Sequence, residues 1–216
     1  MIATERIVFQ AEPHAYTLDG SDVPSITTVL ECEGLSGNGN GYWKEEHRQR
    51  GTAVHRVCLL LGKRPWRGKT AGEIIENSLW DPLTTHPTLV PYGFALAQWY
   101  VDSGFRPELT ERPVASLKFG IAGTLDQWGG MPSGEKVLVD FKSGQPTPAA
   151  NIQTALYAML LEETLGLKTD QRVVLWLKPD GTYKAFPPRP AGGMDLAIGQ
   201  AAVSLYHWRR KAGVLG

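Results

Sequence analysis

Apolar residues recur every three or four positions in several stretches of the chain, which is the spacing of one face of an α-helix. This spacing predicts a helix over 42–61, two further helices within 70–104, and two more over 151–166 and 194–211. Gly166, at the end of one of these stretches, is typical of a helix C-terminal stop. The chain is therefore expected to be rich in amphipathic helices.

A second pattern, with apolar residues at alternate positions or in short unbroken runs, predicts strands. Three of these strands, over 113–119, 120–128 and 136–142, follow one another through short glycine-containing connections. They predict an antiparallel meander, and a strand over 172–178 with a hairpin partner over 182–186 comes later in the chain. The predicted order is helix, three strands, helix, two strands, helix, as in an α/β (α+β) protein.

The beginning of the chain has its own short pattern. Two short strands and a brief helix ended by Gly34 are predicted within 1–34, and a glycine- and asparagine-rich linker over 35–41 follows. A length of 216 residues suits one hydrophobic core. We therefore predict an N-terminal hairpin and helix packed on a single domain over 42–216.

The composition is that of an ordinary globular protein, with 42% apolar and 20% charged residues. No apolar run approaches the ~18 residues of a membrane span, and the opening MIATERIVFQ lacks the apolar segment of a signal peptide. We expect no membrane association and a cytoplasmic location. Cys32 and Cys58 are too few for an iron–sulfur or zinc site built from four cysteines.

The net charge is zero, but basic residues concentrate in the segment 42–70, which has an excess of six positive charges. Such a segment is either a footprint for nucleic-acid phosphates or a solvated helix face followed by a basic loop. The arginines of its predicted helix that we expect to contact DNA are Arg48, Arg50 and Arg56.

Aromatic residues are expected in two settings. Trp99 and Trp176 lie inside regular apolar elements, so they are expected in the core. Tyr42, Trp43 and Trp66 lie within the basic segment and are candidates for base stacking.

Opposite charges interrupt the apolar strand over 136–142, where Asp140 and Lys142 share one face of the strand. Asp126 lies 14 residues earlier, and a turn centred on residue 133 would place it directly opposite Asp140. Two opposed carboxylates repel each other. A divalent cation removes this cost, because carboxylate oxygens are the ligands that Mg²⁺ and Mn²⁺ prefer.

The alternative is a cross-strand salt bridge between Lys142 and an aspartate, which is common at protein surfaces. The neighbouring Val137, Leu138, Val139 and Phe141 make the strand almost continuously apolar, which indicates burial on both faces. Burial makes unpaired charges costly, so it favours the metal site over a surface salt bridge.

At this point the chain resembles a known superfamily. Asp126, the run Asp140–Phe141–Lys142, and Gln153 and Tyr157 on the next predicted helix resemble the PD-(D/E)XK nucleases. The resemblance is to the branch that includes the RecB nuclease domain and the mitochondrial genome maintenance exonucleases, in particular its phage or bacterial members.

Two upstream motifs extend the resemblance. The run GTAVH, which ends at His55, matches a glycine four residues before a site histidine on an upstream helix. Glu111, ahead of the first meander strand, and the run GTLD over 123–126 match a second pattern of the branch. Leu125 stands where the superfamily name has proline, as is usual in this branch.

The resemblance implies a restriction-endonuclease-like fold, an αβββαβ core with a mixed central sheet flanked by helices. The implied metal ligands are Asp126, Asp140, the carbonyl of Phe141, and His55. The implied catalytic residues are Lys142, Asp140, Asp126 and Glu111, the last as an acidic helper. Gln153 and Tyr157 are implied to hold Lys142 or a DNA phosphate.

These expectations define a Mg²⁺- or Mn²⁺-dependent deoxyribonuclease without an iron–sulfur cluster. The branch favours an exonuclease on single-stranded DNA or DNA ends, of the kind that serves DNA repair and recombination, with a helicase or recombination protein as a candidate partner. A structure-specific endonuclease and a non-catalytic DNA-binding module with the same fold are the alternatives.

Overall fold

The structure is a computed structural model of the chain. It describes residues 7–10, 15–36, 45–63, 68–77 and 86–214. The candidate stacking residues Tyr42, Trp43 and Trp66 lie outside the described residues, as does most of the predicted linker.

The described residues form six helices and nine strands. The helices are α1 (Ile26–Cys32), α2 (Glu45–Gly62), α3 (Ala71–Glu76), α4 (Val90–Ser103), α5 (Ala149–Leu165) and α6 (Met194–Ala212). The strands are β1 (Ile7–Gln10), β2 (Ala15–Leu18), β3 (Ser21–Val23), β4 (Arg106–Ser116), β5 (Ile121–Gly130), β6 (Lys136–Lys142), β7 (Gln171–Leu177), β8 (Tyr183–Ala185) and β9 (Arg189–Pro190).

The central sheet has the strand order β4-β5-β6-β7-β8, and β9 also pairs with β7. Strands β4, β5 and β6 form an antiparallel meander, whereas β6 and β7 are parallel. Helix α5 makes the connection between the two parallel strands. The predicted fold class, a mixed sheet flanked by helices with an αβββαβ core, is confirmed.

Side chains along β6 point alternately to the two faces of the sheet, so the strand contributes to a core on each face. Val139 and Phe141 pack with helices α2, α3 and α4 on one face. Leu138 packs on the other face with residues of α1, α5 and α6. This burial on both faces is the reason for the near-continuous apolar sequence of the strand.

The N-terminal residues form a small sheet of three strands, in the order β1-β2-β3, where the sequence predicted two. Tyr16 and Leu18 of β2 pack against Ala115 and Ala122 of the central sheet. The hydroxyl of Tyr16 also lies 2.9 Å from Oγ1 of Thr124 on β5. These contacts place the described part of the N-terminal sheet against the central sheet.

The first meander strand is longer than the sequence predicted. Strand β4 begins at Arg106 rather than at residue 113, so Glu111 lies inside the strand and not before it. Pro107 and Pro113 made this segment look unlike a strand, but β4 is an edge strand, where proline is tolerated.

The two tryptophans expected in the core differ in their burial. Trp99 is buried among the aromatic residues of α4, as predicted. Trp176 is only partly buried, so the core placement predicted for it is wrong. It lies on the side of β7 opposite to Leu175, which is the residue that fills the core.

None of the described helices is long and apolar enough to cross a membrane.

Close approach of β4 to β5 requires a glycine at position 129. A methyl group on Gly129 would overlap the carbonyl oxygen of Arg106, at the point where the register between the strands shifts near Pro107. We expect Gly129→Ala to lower the free energy of unfolding by at least about 2 kcal/mol. Urea denaturation followed by circular dichroism measures this loss.

Gly192→Ala is the matched control, because a methyl group at Gly192 meets no atom within 4 Å. Equal stabilities of the Gly129→Ala and Gly192→Ala variants would contradict the register of this strand pair.

Candidate metal and catalytic site

The carboxylate of Asp126 is the centre of the site. Asp126 on β5 is 5% exposed. Its Oδ1 lies 3.0 Å from Nδ1 of His55 on α2, and its Oδ2 accepts a hydrogen bond of 2.6 Å from the backbone amide of Phe141 on β6. Both oxygens therefore have partners, and one side chain links three elements.

Glu111 reaches the same place through an unusual backbone conformation. Its φ angle is +47°, inside a strand whose neighbouring pairs, Thr110 with Gln127 and Arg112 with Leu125, are regular. A non-glycine residue in this left-handed region costs about 1–2 kcal/mol. Oε1 of Glu111 lies 3.6 Å from Nδ1 of His55, so the strained residue belongs to the site.

A buried polar network fixes helix α2 against the sheet. The side chain of Gln127, next to Asp126, exchanges hydrogen bonds with the hydroxyl of Tyr100 on α4, at 2.8 and 2.6 Å. Nε2 of Gln127 also lies 3.4 Å from the carbonyl oxygen of Cys58 on α2. A methyl group on Gly62 would overlap Nε2 of Gln127, so the glycine allows α2 to approach closely enough for His55 to reach Asp126.

Three side chains form a group that can hold a metal ion. Ligand atoms of His55, Glu111 and Asp126 all lie within 4.8 Å of one another. Two carboxylates and one imidazole form a donor set that suits a divalent cation, and the two carboxylates bring the negative charge that such a cation neutralises. The residues present therefore fit a divalent ion.

A second chain of polar contacts begins at Asp140. Its Oδ2 lies 2.8 Å from Nζ of Lys142, which donates a 3.0 Å hydrogen bond to Oε1 of Gln153 on α5. Nε2 of Gln153 in turn donates to the hydroxyl of Tyr157, at 3.2 Å. The sequence expected Gln153 and Tyr157 to hold Lys142, and the structure brings these three residues together with Asp140.

The strands β5 and β6 end their pairing at the two aspartates. Their ladder runs from the pair Gly130–Lys136 to the pair Gln127–Val139, a register centred on residue 133 as the sequence predicted.

Asp126 and Asp140 are the next positions after the end of this ladder, but they are not a ladder pair. Asp126 accepts instead from the amide of Phe141, so the direct pairing expected of the two aspartates is not what the structure shows.

Tyr157 forms a wall of the site where α5 crosses β5. A methyl group on Gly123 would come within 2.6 Å of Cε1 of Tyr157. The glycine three residues before Asp126 therefore makes room for the tyrosine ring.

Burial controls the charge of the second aspartate. Burial raises the pKa of Asp140 to about 6, against the opposing effect of the Lys142 ammonium. Burial also opposes the charged form of Lys142, but the carboxylates of Asp140 and Asp126 outweigh it and raise the pKa of the lysine. At neutral pH this pair is an ammonium beside a carboxylate whose ionisation is costly.

In the candidate metal-ligand group, neighbouring charges outweigh burial at His55 and Asp126. Burial disfavours the imidazolium form of His55, yet Asp126 and Glu111 together raise its pKa well above the ordinary value. Burial also opposes ionisation of Asp126, but His55 and Lys142 hold the pKa of this carboxyl below its ordinary value. Burial raises the pKa of Glu111. His55 is therefore held in its positively charged form beside Asp126 and Glu111. A metal ion bound to its ring nitrogen would release that proton.

The predicted DNA-contacting arginines have exposed side chains on α2. Arg48, Arg50 and Arg56 are all exposed. Arg48 is seven residues before His55, so it lies on the same face of the helix two turns away. Gly51, between them on that face, lies opposite the hydroxyl of Ser143, which follows Lys142.

The sequence did not identify the residues that support the site. Gln127 and Tyr100 position α2, and the Tyr16 hydroxyl contacts Thr124 two residues from Asp126. The one signal for Gln127 was a polar residue in an otherwise apolar strand segment. Tyr16 and Tyr100 gave no signal, because a tyrosine hydroxyl does not reveal its partner in sequence.

Comparison with known proteins gives remote structural likenesses only. No protein-family model matches the chain, and no curated protein matches it significantly. The chain is similar to the crystal structure of an alkaline exonuclease (LHK-Exo) from Laribacter hongkongensis, with 15% identity, a TM-score of 0.42, and 79% of this chain and 94% of that chain covered. It is also similar to the structure of a protein named SSO0001, with 15% identity, a TM-score of 0.34, and coverage of 85% and 84%.

The raised pKa of Asp140 predicts how stability depends on pH. The folded protein binds a proton at Asp140 more tightly than the unfolded chain does, so stability is lost as pH rises. In metal-free protein we expect the contribution of this group to stability to fall by about 3 kcal/mol between about pH 4 and pH 6. Chemical denaturation in a chelator at a series of pH values measures the slope, and Asp140→Asn should flatten it.

Glu162→Gln, a change at an exposed position of α5, is the matched control and should keep the slope of the wild-type protein. An Asp140→Asn variant with an undiminished slope would show that this carboxyl is not the buried group we describe.

Proposed function

We propose that the protein is a metal-dependent deoxyribonuclease of the PD-(D/E)XK type, with Mg²⁺ or Mn²⁺ as the cofactor. The observation that carries the proposal is the buried carboxylate of Asp126, grouped with His55 and Glu111 beside the ion pair of Asp140 and Lys142. Carboxylates that favour a divalent cation, next to a lysine that favours a phosphate, match the needs of phosphodiester hydrolysis.

Asp126, Glu111 and His55 would hold the ion, and Asp140 and the Phe141 carbonyl are the further candidate ligands implied by the superfamily resemblance. A bound divalent ion would supply an activated water and charge stabilisation on the phosphate. The amide of Phe141 donates to Oδ2 of Asp126 and orients the carboxylate, which leaves the Oδ1 edge to face His55 and Glu111.

Lys142 is the proposed catalytic lysine. Its raised pKa keeps it cationic at neutral pH. An ammonium has three donors; one donates to Gln153, and a second lies toward Asp140, the ion-pair partner at 2.8 Å. The third can donate to a phosphate oxygen or to the attacking water, so Lys142 would stabilise the negative charge that develops during hydrolysis. Gln153, itself bound to Tyr157, holds the lysine in this position.

Helix α2 is the proposed approach for the DNA backbone. Arg48, Arg50 and Arg56 are exposed on this helix, near His55 in sequence. Arg48 and Arg56 would contact DNA phosphates, and Arg50 lies further round the helix. Exonuclease action on single strands or ends follows from the resemblance to the branch, and a structure-specific endonuclease is the second candidate activity. The buried ion pair and the strained Glu111 disfavour a non-catalytic binding module, since binding alone needs neither cost.

Removal of the lysine charge tests the catalytic assignment. We expect Lys142→Met to lower the rate of DNA hydrolysis by at least about a hundredfold, because charge stabilisation in the transition state is lost. Release of acid-soluble nucleotides from DNA in Mg²⁺ measures the rate, and circular dichroism establishes that the variant is folded.

Lys168→Met is the matched control, because Lys168 is exposed in the loop after α5. Hydrolysis by Lys142→Met at the rate of the control variant would remove Lys142 from the mechanism.

The form of the DNA distinguishes the two candidate activities. We expect the wild-type protein in Mg²⁺ to degrade end-labelled linear single-stranded DNA to short products and to leave a circular single strand of the same sequence intact. Denaturing electrophoresis separates the products. Cleavage of the circle would favour the endonuclease, and binding to both without cleavage of either would contradict the proposed function.

A further inference from the structure

A row of aromatic and basic side chains crosses the central sheet from the proposed catalytic lysine to the sheet edge. Lys142 on β6 is the ladder partner of Trp176 on β7. Trp176 is in turn the partner of Lys184 on β8, the last strand of this path through the sheet. Neighbouring strands are about 4.8 Å apart, so Trp176 is the immediate neighbour of Lys142.

These three side chains share one face of the sheet, because ladder partners point to the same side. The alternate residues of β7, Val173 and Leu175, pack in the core on the other face. Phe186 continues β8 on the row's side, since its amide donates to the carbonyl oxygen of Val174 at 3.0 Å.

Helix α5 covers only one end of this face. The Arg172 guanidinium is 1% exposed and donates to Oγ1 of Thr154 on α5, at 2.7 Å. Trp176, four residues further toward the carboxyl end of β7, is only partly buried. Trp176 is therefore partly exposed to solvent beyond this contact of α5, although its indole Nε1 is buried.

A lysine ammonium lies close to each of the two aromatic rings in the row. Nζ of Lys178 lies 5.5 Å from the centre of the Trp176 ring, and Nζ of Lys184 lies 4.9 Å from the centre of the Phe186 ring. A lysine has a long flexible stem, so its ammonium can leave the ring for a phosphate while the ring accepts a base. Aromatic faces interleaved with mobile cations are the chemistry that binds single-stranded nucleic acid.

We propose that Trp176, Lys178, Lys184 and Phe186 form a binding track for single-stranded DNA that leads away from Lys142. The bases stack on the two rings and the lysines neutralise the phosphates. The proposal rests on the proposed function, because the row begins at the catalytic lysine. A single strand is the ligand that fits, since in a duplex the faces of the bases are covered by their neighbours.

Affinity for an oligonucleotide tests the track. Binding of fluorescent deoxythymidine oligomers is measured by anisotropy in a chelator, so that it does not depend on cleavage. Trp176→Leu retains apolar volume and should lower the affinity by about tenfold, the loss expected for one stacked base. Lys184→Ala, at an exposed position, should reduce the slope of log affinity against log salt by about 0.7.

A similar pair elsewhere in the protein gives the matched controls. Lys118 lies 5.0 Å from the centre of the Phe119 ring, at the turn between β4 and β5. Lys118→Ala and Phe119→Leu should bind the oligomers as the wild-type protein does. Circular dichroism melts of every variant separate loss of binding from loss of fold.

The track is overturned if Trp176→Leu and Lys184→Ala bind as tightly as the controls, or if the folded wild-type protein binds no single strand. The proposed function is tested separately, by hydrolysis of linear DNA by the wild-type protein in Mg²⁺. Hydrolysis with unchanged binding by the variants would therefore refute the track and leave the nuclease standing.

Discussion

The burial of one ionised carboxylate, that of Asp126, determines how the rest of the site is arranged. A buried carboxylate is costly unless charges and hydrogen bonds compensate it. Here His55 on α2 and the amide of Phe141 on β6 do so, and the field of Lys142 adds to them. The compensation of this charge therefore requires helix α2 and the end of β6 to lie beside Asp126. Gln127 and Gly62 keep α2 close enough to the sheet for His55 to contact Asp126.

The site has two parts, which lie where the β5–β6 ladder ends. Beyond the pair of Gln127 and Val139 the strands no longer pair. His55, Glu111 and Asp126 then form the candidate metal-ligand group, while Asp140 and Lys142 form an ion pair that Gln153 of α5 contacts. The raised pKa of Asp140 and the left-handed backbone of Glu111 are costs that stability alone would not select. Both become intelligible if a cation and a phosphate complete the site.

The sequence predicted much of the fold because burial on one or two faces leaves a clear spacing of apolar residues, as along β6 and α5. It also predicted the register of the β5–β6 hairpin, since a short turn fixes the pairing of its strands, but the direct pairing of Asp126 with Asp140 that it expected is not formed. It missed the strand character of residues 106–112, because the tolerance of an edge strand for proline depends on the sheet order. It misjudged Trp176 for a related reason: how far α5 covers the sheet is a matter of tertiary packing. Contacts such as Gln127 with Tyr100 join distant segments and have no spacing to recognise.

The most direct test is calorimetric titration of the protein with Mn²⁺, for the wild type and for Asp126→Asn. The substitution preserves size and the hydrogen bond capacity of one oxygen but removes the charge that holds the site together. We predict that the wild-type protein binds the ion with release of a proton from His55, and that the folded variant loses this binding. Binding by Asp126→Asn with the affinity and proton release of the wild type would contradict the account.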